Sequence, residues 1–314
     1  MRRREFLSSA VLSAGVLAAD VGVGAVVDSD NDNNNNNNNS NNKARPKLDL
    51  SQWIQLTKNV KCPRIGFGTG MRGWQRNSDL TRLGWRDGIA LLNHAYDLGV
   101  RFFDCADLYG THSIVAEAMK NKPRESYVLA TKLWMRAGGL PEKERLDPLE
   151  TVPRLLRELN VEYIDIVQIH CVMDSNWSEK YAKTMESLAK LKDKGIIRAH
   201  GVSTHSNAAV ECATKTSWCD VIHARLNSEG MNMDGPKDNA ELRVTESIKA
   251  VKLAHDAGKG VIAIKVLGEG KMSKNAELRK KSTKFINNLD CVDVMIVGFT
   301  EKQHVDEFLK NCEK

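Results

Sequence analysis

Four polar residues of the sequence stand at, or just beyond, the ends of short apolar runs. Asp104 ends the run Val-Arg-Phe-Phe-Asp, Lys132 ends Tyr-Val-Leu-Ala-Thr-Lys, and His170 ends Ile-Asp-Ile-Val-Gln-Ile-His. Tyr109 follows Asp104 by five residues. Taken singly, each has an ordinary structural interpretation, such as a loop cap, a surface lysine or a core histidine. Their occurrence at the ends of successive runs instead favours a common site.

These four residue types suit hydride transfer to a carbonyl group, which also needs a proton for the carbonyl oxygen. A tyrosine hydroxyl has an ordinary pKa of about 10, and a nearby lysine cation is expected to lower that pKa. An aspartate paired with the lysine would compensate its charge in a partly buried site. A neutral histidine can donate a hydrogen bond to the carbonyl oxygen and orient it.

The elements that must position these residues are short apolar runs that alternate with segments of helical pattern. Eight strands alternating with helices predict an α/β fold, a (β/α)8 TIM barrel in which one end carries the carboxyl termini of all the strands. The predicted strands are 64–68, 100–104, 127–132, 164–170, 199–203, 221–225, 260–265 and 295–298. The predicted helices are 89–98, 153–159, 181–193, 208–214, 244–256 and 303–310.

An open, doubly wound sheet is the structural alternative. It would require a G-x-G-x-x-G turn that follows the first strand and opens a helix. Residues 66–70 read Gly-Phe-Gly-Thr-Gly, and no helical pattern follows at once. The closed barrel is therefore the favoured architecture.

The segment Gly-Val-Arg-Phe-Phe-Asp-Cys-Ala-Asp-Leu-Tyr-Gly at 99–110 resembles the signature of the aldo-keto reductases. Further matches in the same order are 130–132, 165–170, 201–203 and 296–298. The resemblance implies an NAD(P)-dependent oxidoreductase that interconverts a carbonyl and an alcohol. It implies that Tyr109 is the general acid/base, that Lys132 and Asp104 tune it, and that His170 orients the substrate carbonyl.

The same resemblance implies a cofactor, NADPH, extended across the barrel mouth, with NAD as the open alternative. The residues expected to bind it are Ser203, Thr204, His223, Leu267, Gly268, Gly270, Gly298 and Lys302. Thr204 stands where the family usually has asparagine, and His223 stands where it has glutamine. Lys302 or His304 would bind the 2′-phosphate, since other basic residues are missing after the last strand. These departures motivate a second hypothesis, a catalytically weakened barrel that binds nucleotide or sugar as a sensor or subunit.

The first 27 residues resemble a twin-arginine export signal, in which Arg3 and Arg4 are followed by Glu5 and then by Phe6 and Leu7. The Asn-rich stretch 28–47 is predicted to be a disordered linker, and 48–314 is predicted to be the barrel. The protein is therefore expected to meet the twin-arginine export machinery and to reach the periplasm. An uncleaved membrane anchor is the alternative, although the apolar stretch is too interrupted to predict a stable membrane span.

Export implies a tightly held nucleotide, recycled by a second substrate, because no NADPH pool is expected outside the cytoplasm.

The net charge of +6 is spread along the chain, and the cluster Arg279-Lys280-Lys281 is interpreted as a solvated helix face. No nucleic-acid partner is therefore predicted. Most of the seven cysteines are expected to be free thiols. No metal site is predicted, because no His-x-His ends an early strand. The oligomeric state and the particular carbonyl substrate stay open.

Overall fold

The computed structural model describes residues 49–312. They begin with an antiparallel hairpin of β1 (Trp53–Thr57) and β2 (Val60–Pro63). Eight parallel strands follow and close into a barrel in sequence order, with the last strand paired to the first. These strands are β3 (Ile65–Gly68), β4 (Phe102–Asp104), β5 (Val128–Leu133), β6 (Ile164–Val172), β7 (Ile197–Thr204), β8 (Val221–Arg225), β9 (Gly260–Ile264) and β10 (Val294–Val297). The predicted (β/α)8 barrel is confirmed, and every strand bound lies within two residues of its prediction.

Ten α-helices of the described chain connect or flank these strands. They are α1 (Asp79–Arg82), α2 (Trp85–Asp97), α3 (His112–Met119), α4 (Pro148–Leu159), α5 (Trp177–Lys180), α6 (Ala182–Asp193), α7 (Asn207–Lys215), α8 (Ala240–Asp256), α9 (Ala276–Asn287) and α10 (Lys302–Cys312). The helix α3 was not predicted because it is short and its buried face is partly polar. There His112 bonds to Glu158 and to Thr131, each at 2.8 Å.

The barrel interior is apolar at one end and polar at the other. Phe102, Val128 and Ile166 pack inside the barrel with Leu56 and Val60 of the hairpin. The hairpin therefore closes the amino-terminal end of the barrel. At the carboxyl ends of the strands the inward side chains become polar, and this end is open to a cleft.

The helix α4 illustrates how the outer layer is fixed. The carboxylate of Asp147 accepts a hydrogen bond from the first turn, which begins with proline, and Asn160 ends the helix with a left-handed φ of +52°. Leu155 on its inner face is fully buried, which stabilises the packing by about 1.5–3 kcal/mol. The helix thereby holds Arg154 beside the loop that carries Tyr109.

Within residues 49–312, no helix combines the length and the apolar character needed to cross a membrane. The predicted signal at 1–27 and the predicted linker at 28–47 lie outside the described residues, as do positions 48, 313 and 314 of the predicted barrel domain.

Candidate active site

A cleft of about 940 Å³ opens at the carboxyl end of the barrel, and all four predicted catalytic residues line it. Asp104, Lys132 and His170 lie on three neighbouring strands, β4, β5 and β6. Asp104 pairs in register with Ala130, so Lys132 lies two residues further along on the same face of the barrel wall. The parallel register thus brings residues distant in sequence to one place.

Lys132 and Asp104 form a buried ion pair. Nζ of Lys132 donates to Oδ1 of Asp104 at 2.5 Å and to the carbonyl oxygen of Cys105 at 2.9 Å. Burial alone would raise the pKa of Asp104, but the Lys132 cation and, after it, the neighbouring His223 lower that pKa to about 2. Asp104 is therefore ionised, and it holds the lysine cation in the floor of the cleft.

Tyr109 and His170 form the second pair. The Tyr109 hydroxyl lies 3.2 Å from Nε2 of His170, and the two rings meet edge to face with centroids 5.4 Å apart. Burial and the Lys132 cation hold the pKa of His170 well below 6.5. His170 is therefore a neutral imidazole, which can donate a hydrogen bond to a carbonyl oxygen as expected.

The loop that carries Tyr109 is anchored by charge and by close packing. Asp107 is buried, and its carboxylate accepts from Arg154 at 2.6 Å and from Arg76 at 3.1 Å. A side chain at Gly70 would lie 2.1 Å from the Tyr109 ring, so only glycine leaves room for the tyrosine there. The phenol is thus fixed before any substrate binds.

The acidity of Tyr109 differs from the sequence-based expectation. Burial raises the pKa of Tyr109 well above 10, and the Asp104 carboxylate adds to this effect. Nζ of Lys132 lies 5.5 Å from the centroid of the tyrosine ring, and it donates hydrogen bonds to Asp104 and to the carbonyl oxygen of Cys105. The expectation of a lowered pKa for Tyr109 is therefore wrong for this structure, because burial outweighs the effect of the cation. Tyr109 is a neutral phenol at pH 7.

The structure brings four of the eight predicted cofactor residues to the cleft. Ser203, Leu267, Gly270 and Gly298 line it. The four that it does not bring there are Thr204, His223, Gly268 and Lys302.

The side chains of those four residues have other surroundings. The Thr204 hydroxyl donates to the carbonyl oxygen of His223 at 2.9 Å. His223 is fully buried in the barrel, with Nε2 3.1 Å from Oδ1 of Asp104. Gly268 is buried against Met231, and Lys302 is exposed at the start of α10. Any cofactor contact by Thr204 or His223 would therefore be indirect.

Several residues of the cleft were missed in the sequence. Arg279 lines it and bonds to Glu307 of α10 at 2.6 Å, so interpreting Arg279 as part of a solvated helix face is wrong. The helical spacing from Arg279 to Thr283, which also lines the cleft, was the available signal. Lys271, Lys274 and Trp74 line the cleft as well. Lys281, by contrast, is exposed and pairs with Glu229 at 2.8 Å.

The fold and the site together define a class of protein, the barrel enzymes whose active site lies at the carboxyl ends of the strands. Comparison with known proteins identifies the family within that class. Residues 64–314 match the model of the Aldo/keto reductase family, and the chain belongs to that family.

Individual relatives are more distant. The NADH-specific methylglyoxal reductase of Escherichia coli is 30% identical over 191 residues, which cover 54% of this chain and 57% of that protein. The chain spans about half the length of the curated relatives it matches. Among solved structures, an aldo-keto reductase from Bacillus halodurans in its holo form superposes with a TM-score of 0.63 at 19% identity, over 84% of this chain and 91% of that one. An aldo/keto reductase from Klebsiella pneumoniae, in complex with NADP and acetate, gives 0.59 at 18% identity, over 83% and 90%.

Proposed function

We propose that this protein interconverts a carbonyl compound and an alcohol by hydride transfer, with Tyr109 as the general acid/base. The observation that carries the proposal is the 3.2 Å contact between the Tyr109 hydroxyl and Nε2 of His170 in the cleft. Beside it lies the buried Lys132–Asp104 pair. A proton donor and a neutral hydrogen-bond donor thus face the same space, which is what a carbonyl oxygen requires.

The cleft fits a nicotinamide nucleotide. Among residues 49–312, apart from Gly270 and its two chain neighbours, no heavy atom lies within 4 Å of where a Cβ of Gly270 would stand, so a phosphate group can approach the backbone there. Lys271 and Arg279 line the same cleft and offer positive charge to phosphates. Ser203 supplies a buried hydroxyl for an amide group. When bound, the nicotinamide supplies or accepts the hydride.

In reduction, this chain supplies the proton and orients the substrate. His170 directs the carbonyl oxygen towards the Tyr109 hydroxyl, and Tyr109 gives its proton to that oxygen as negative charge develops on it. The Lys132 cation favours the phenolate that remains, and Asp104 prevents the lysine from moving away. In alcohol oxidation the same groups carry out these proton-transfer and orienting steps in the reverse direction.

NADP is the preferred nucleotide in this proposal. Arg279, Lys271 and Lys274 give the cleft several cations in addition to Lys132. Lys271 donates to the neutral Asn232 amide at 3.0 Å rather than to a carboxylate, so its charge is available to a phosphate. One relative is named for NADH and one solved neighbour is in complex with NADP, so both nucleotides occur among similar proteins.

The test is the oxidation of NADPH and of NADH by the purified chain with a panel of aldehydes and sugars. Activity in the native chain and a loss of at least about 100-fold in Tyr109→Phe would support the proposal. If nucleotide binds tightly but no member of the panel is reduced, the sensor or subunit hypothesis replaces it.

We further propose that residues 1–27 direct export of the folded barrel by the twin-arginine machinery, with its nucleotide already bound. The supporting feature is the arginine pair followed by Glu5, Phe6 and Leu7. Cell fractionation, followed by denaturing the periplasmic protein and identifying any nucleotide released, tests both parts. Retention in the membrane fraction would favour the uncleaved anchor, and periplasmic protein without nucleotide would refute the tight-binding part.

A further inference from the structure

The strand β6 carries an irregularity directly after His170. Its register with β7 shifts between Ile169 and Val172. Cys171, inside the shift, has φ of +57°, a left-handed conformation that residues other than glycine adopt uncommonly. In a regular strand, successive side chains point to opposite faces. Here the bulge places both His170 and Cys171 in the wall of the cleft.

The Cys171 thiol lies beside a histidine and an arginine. Sγ is 3.0 Å from Nδ1 of His205, which also lines the cleft. Nη1 of Arg136 lies 3.1 Å from Sγ and 3.3 Å from the Cys171 carbonyl oxygen. On its other sides the cysteine packs with apolar side chains, among them Leu108 and Trp134. A thiol and a base thus line the cleft, with a cation against the thiol, and the proposed reductase chemistry uses none of them.

The thiol and the imidazole are both uncharged at neutral pH. Burial raises the pKa of Cys171, an effect that Arg136 opposes. Burial and the neighbouring Arg225 lower the pKa of His205 to about 3. Both shifts raise the cost of moving the S–H proton to His205, and what favours the transfer is the position of Nδ1, 3.0 Å from Sγ. Because a proton moved across 3.0 Å leaves opposite charges side by side, their attraction offsets part of the cost of forming them.

We propose that Cys171 and His205 form a second reactive centre in the cleft, which adds the cysteine thiol to α,β-unsaturated aldehydes and ketones bound there. The inference deepens the proposed function and rests on it in one respect, namely that carbonyl compounds enter this cleft. The inference gives the α,β-unsaturated compounds a second reaction in the cleft, in which the thiol adds covalently to the β-carbon.

The addition balances without any oxidant or reductant. A bond forms between Sγ and the β-carbon while the S–H bond breaks and its proton passes to Nδ1 of His205. The π electrons of the C=C bond move towards the carbonyl oxygen, giving an enolate. The His205 imidazolium then returns the proton to the α-carbon. The product is a saturated thioether aldehyde or ketone attached to Cys171, next to His170.

The test uses the full chain, without added nucleotide, and trans-cinnamaldehyde as the probe. Intact-mass time courses and peptide mapping follow the thioether. We expect a single adduct at Cys171 whose rate saturates with aldehyde concentration, because the aldehyde binds in the cleft before it reacts. Hydrocinnamaldehyde, which lacks the C=C bond, is the matched ligand control and should compete without forming the thioether.

Three variants assign the roles. Cys171→Ser should abolish the adduct, and His205→Gln should slow it about tenfold or more, since the base is lost. Cys212, which is half-buried outside the cleft, provides the control, and Cys212→Ser should react as the native chain does.

Equal labelling of Cys171 and Cys212, or a rate that stays linear in aldehyde concentration, would overturn the inference. Native-rate labelling of a folded His205→Gln variant would overturn the role of the histidine. Because thioether formation uses no nucleotide, a chain that reduces nothing can still show the adduct. A chain that reduces aldehydes but is not labelled at Cys171 refutes this inference alone.

Discussion

Nε2 of His223 lies 3.1 Å from Oδ1 of Asp104. The same oxygen accepts the hydrogen bond from Lys132, so one carboxylate oxygen lies beside two buried nitrogens. The His223 N–H is not aligned on that oxygen, and neither ring nitrogen has a hydrogen-bond partner among the described residues. Burial lowers the pKa of His223, which therefore packs beneath the catalytic pair as a neutral ring. Asp104 thus depends chiefly on Lys132 for compensation of its charge.

Replacing His223 should reveal how sensitive the Asp104 carboxylate is to its neighbour. In His223→Glu, two buried carboxyl groups would compete for Lys132, so one of them must bind a proton or the fold must loosen. We expect the free energy of unfolding to fall by several kcal/mol, about 3–5, and to fall further at pH 8 than at pH 5. Urea denaturation at both pH values measures this.

The control is His223→Gln, which carries no charge and can donate to Asp104. It should stay within about 1 kcal/mol of the native chain. A glutamate variant as stable at pH 8 as the glutamine variant would contradict the close packing of His223 on Asp104.

The Lys132–Asp104 pair allows a second prediction, of non-additive stability. Lys132→Met leaves the Asp104 carboxylate buried without its cation, which costs about 3–5 kcal/mol. The double variant Lys132→Met/Asp104→Asn removes both charges and should be more stable than the single lysine variant. Denaturant titration of the two variants, with Asp104→Asn alone, completes the cycle. Additive losses would mean that the two charges do not depend on each other.

Much of this site could be predicted because the barrel imposes a simple rule on the sequence. Parallel strands buried on both faces appear as apolar runs, and Asp104, Lys132 and His170 mark where those runs end. The bulge at Cys171 could not be predicted, since nothing in the run Ile-His-Cys-Val signals a left-handed cysteine. Arg279 was missed because a charged residue that pairs with Glu307, 28 positions away, looks in the sequence like any solvated one. The predicted direction of the Tyr109 pKa shift was wrong because burial, which the sequence does not quantify, outweighs the effect of the lysine cation.

The pH dependence of turnover tests that direction. Reduction uses protonated Tyr109 and neutral His170, and burial shifts both pKa values outward, the tyrosine above 10 and the histidine below 6.5. Neither group should change protonation between about pH 7 and 9. We therefore expect kcat/KM for aldehyde reduction to be flat over this range. Steady-state rates in constant-ionic-strength buffers measure it.

Two controls accompany the pH profile. Tyr109→Phe should lower kcat at least about 100-fold at every pH while leaving nucleotide binding intact. A native profile that falls with an apparent pKa between 7 and 9, absent in the phenylalanine variant, would show that Tyr109 titrates there and would restore the lysine-lowered phenol.

Arg279 provides the last prediction, on the choice of nucleotide. Its guanidinium lines the cleft but is bound to Glu307 at 2.6 Å, so part of its charge is already compensated. If it contacts the 2′-phosphate, Arg279→Ala should raise KM for NADPH about tenfold and leave KM for NADH unchanged, a loss of about 1.4 kcal/mol. Glu307→Gln releases the guanidinium and should act in the opposite direction, lowering KM for NADPH.

The matched control is Lys281→Ala on the same helix, since Lys281 pairs with Glu229 outside the cleft and its loss should alter neither constant. Equal effects of Arg279→Ala on both nucleotides would instead assign the arginine to packing α9 against α10, because such a role does not distinguish the two cofactors.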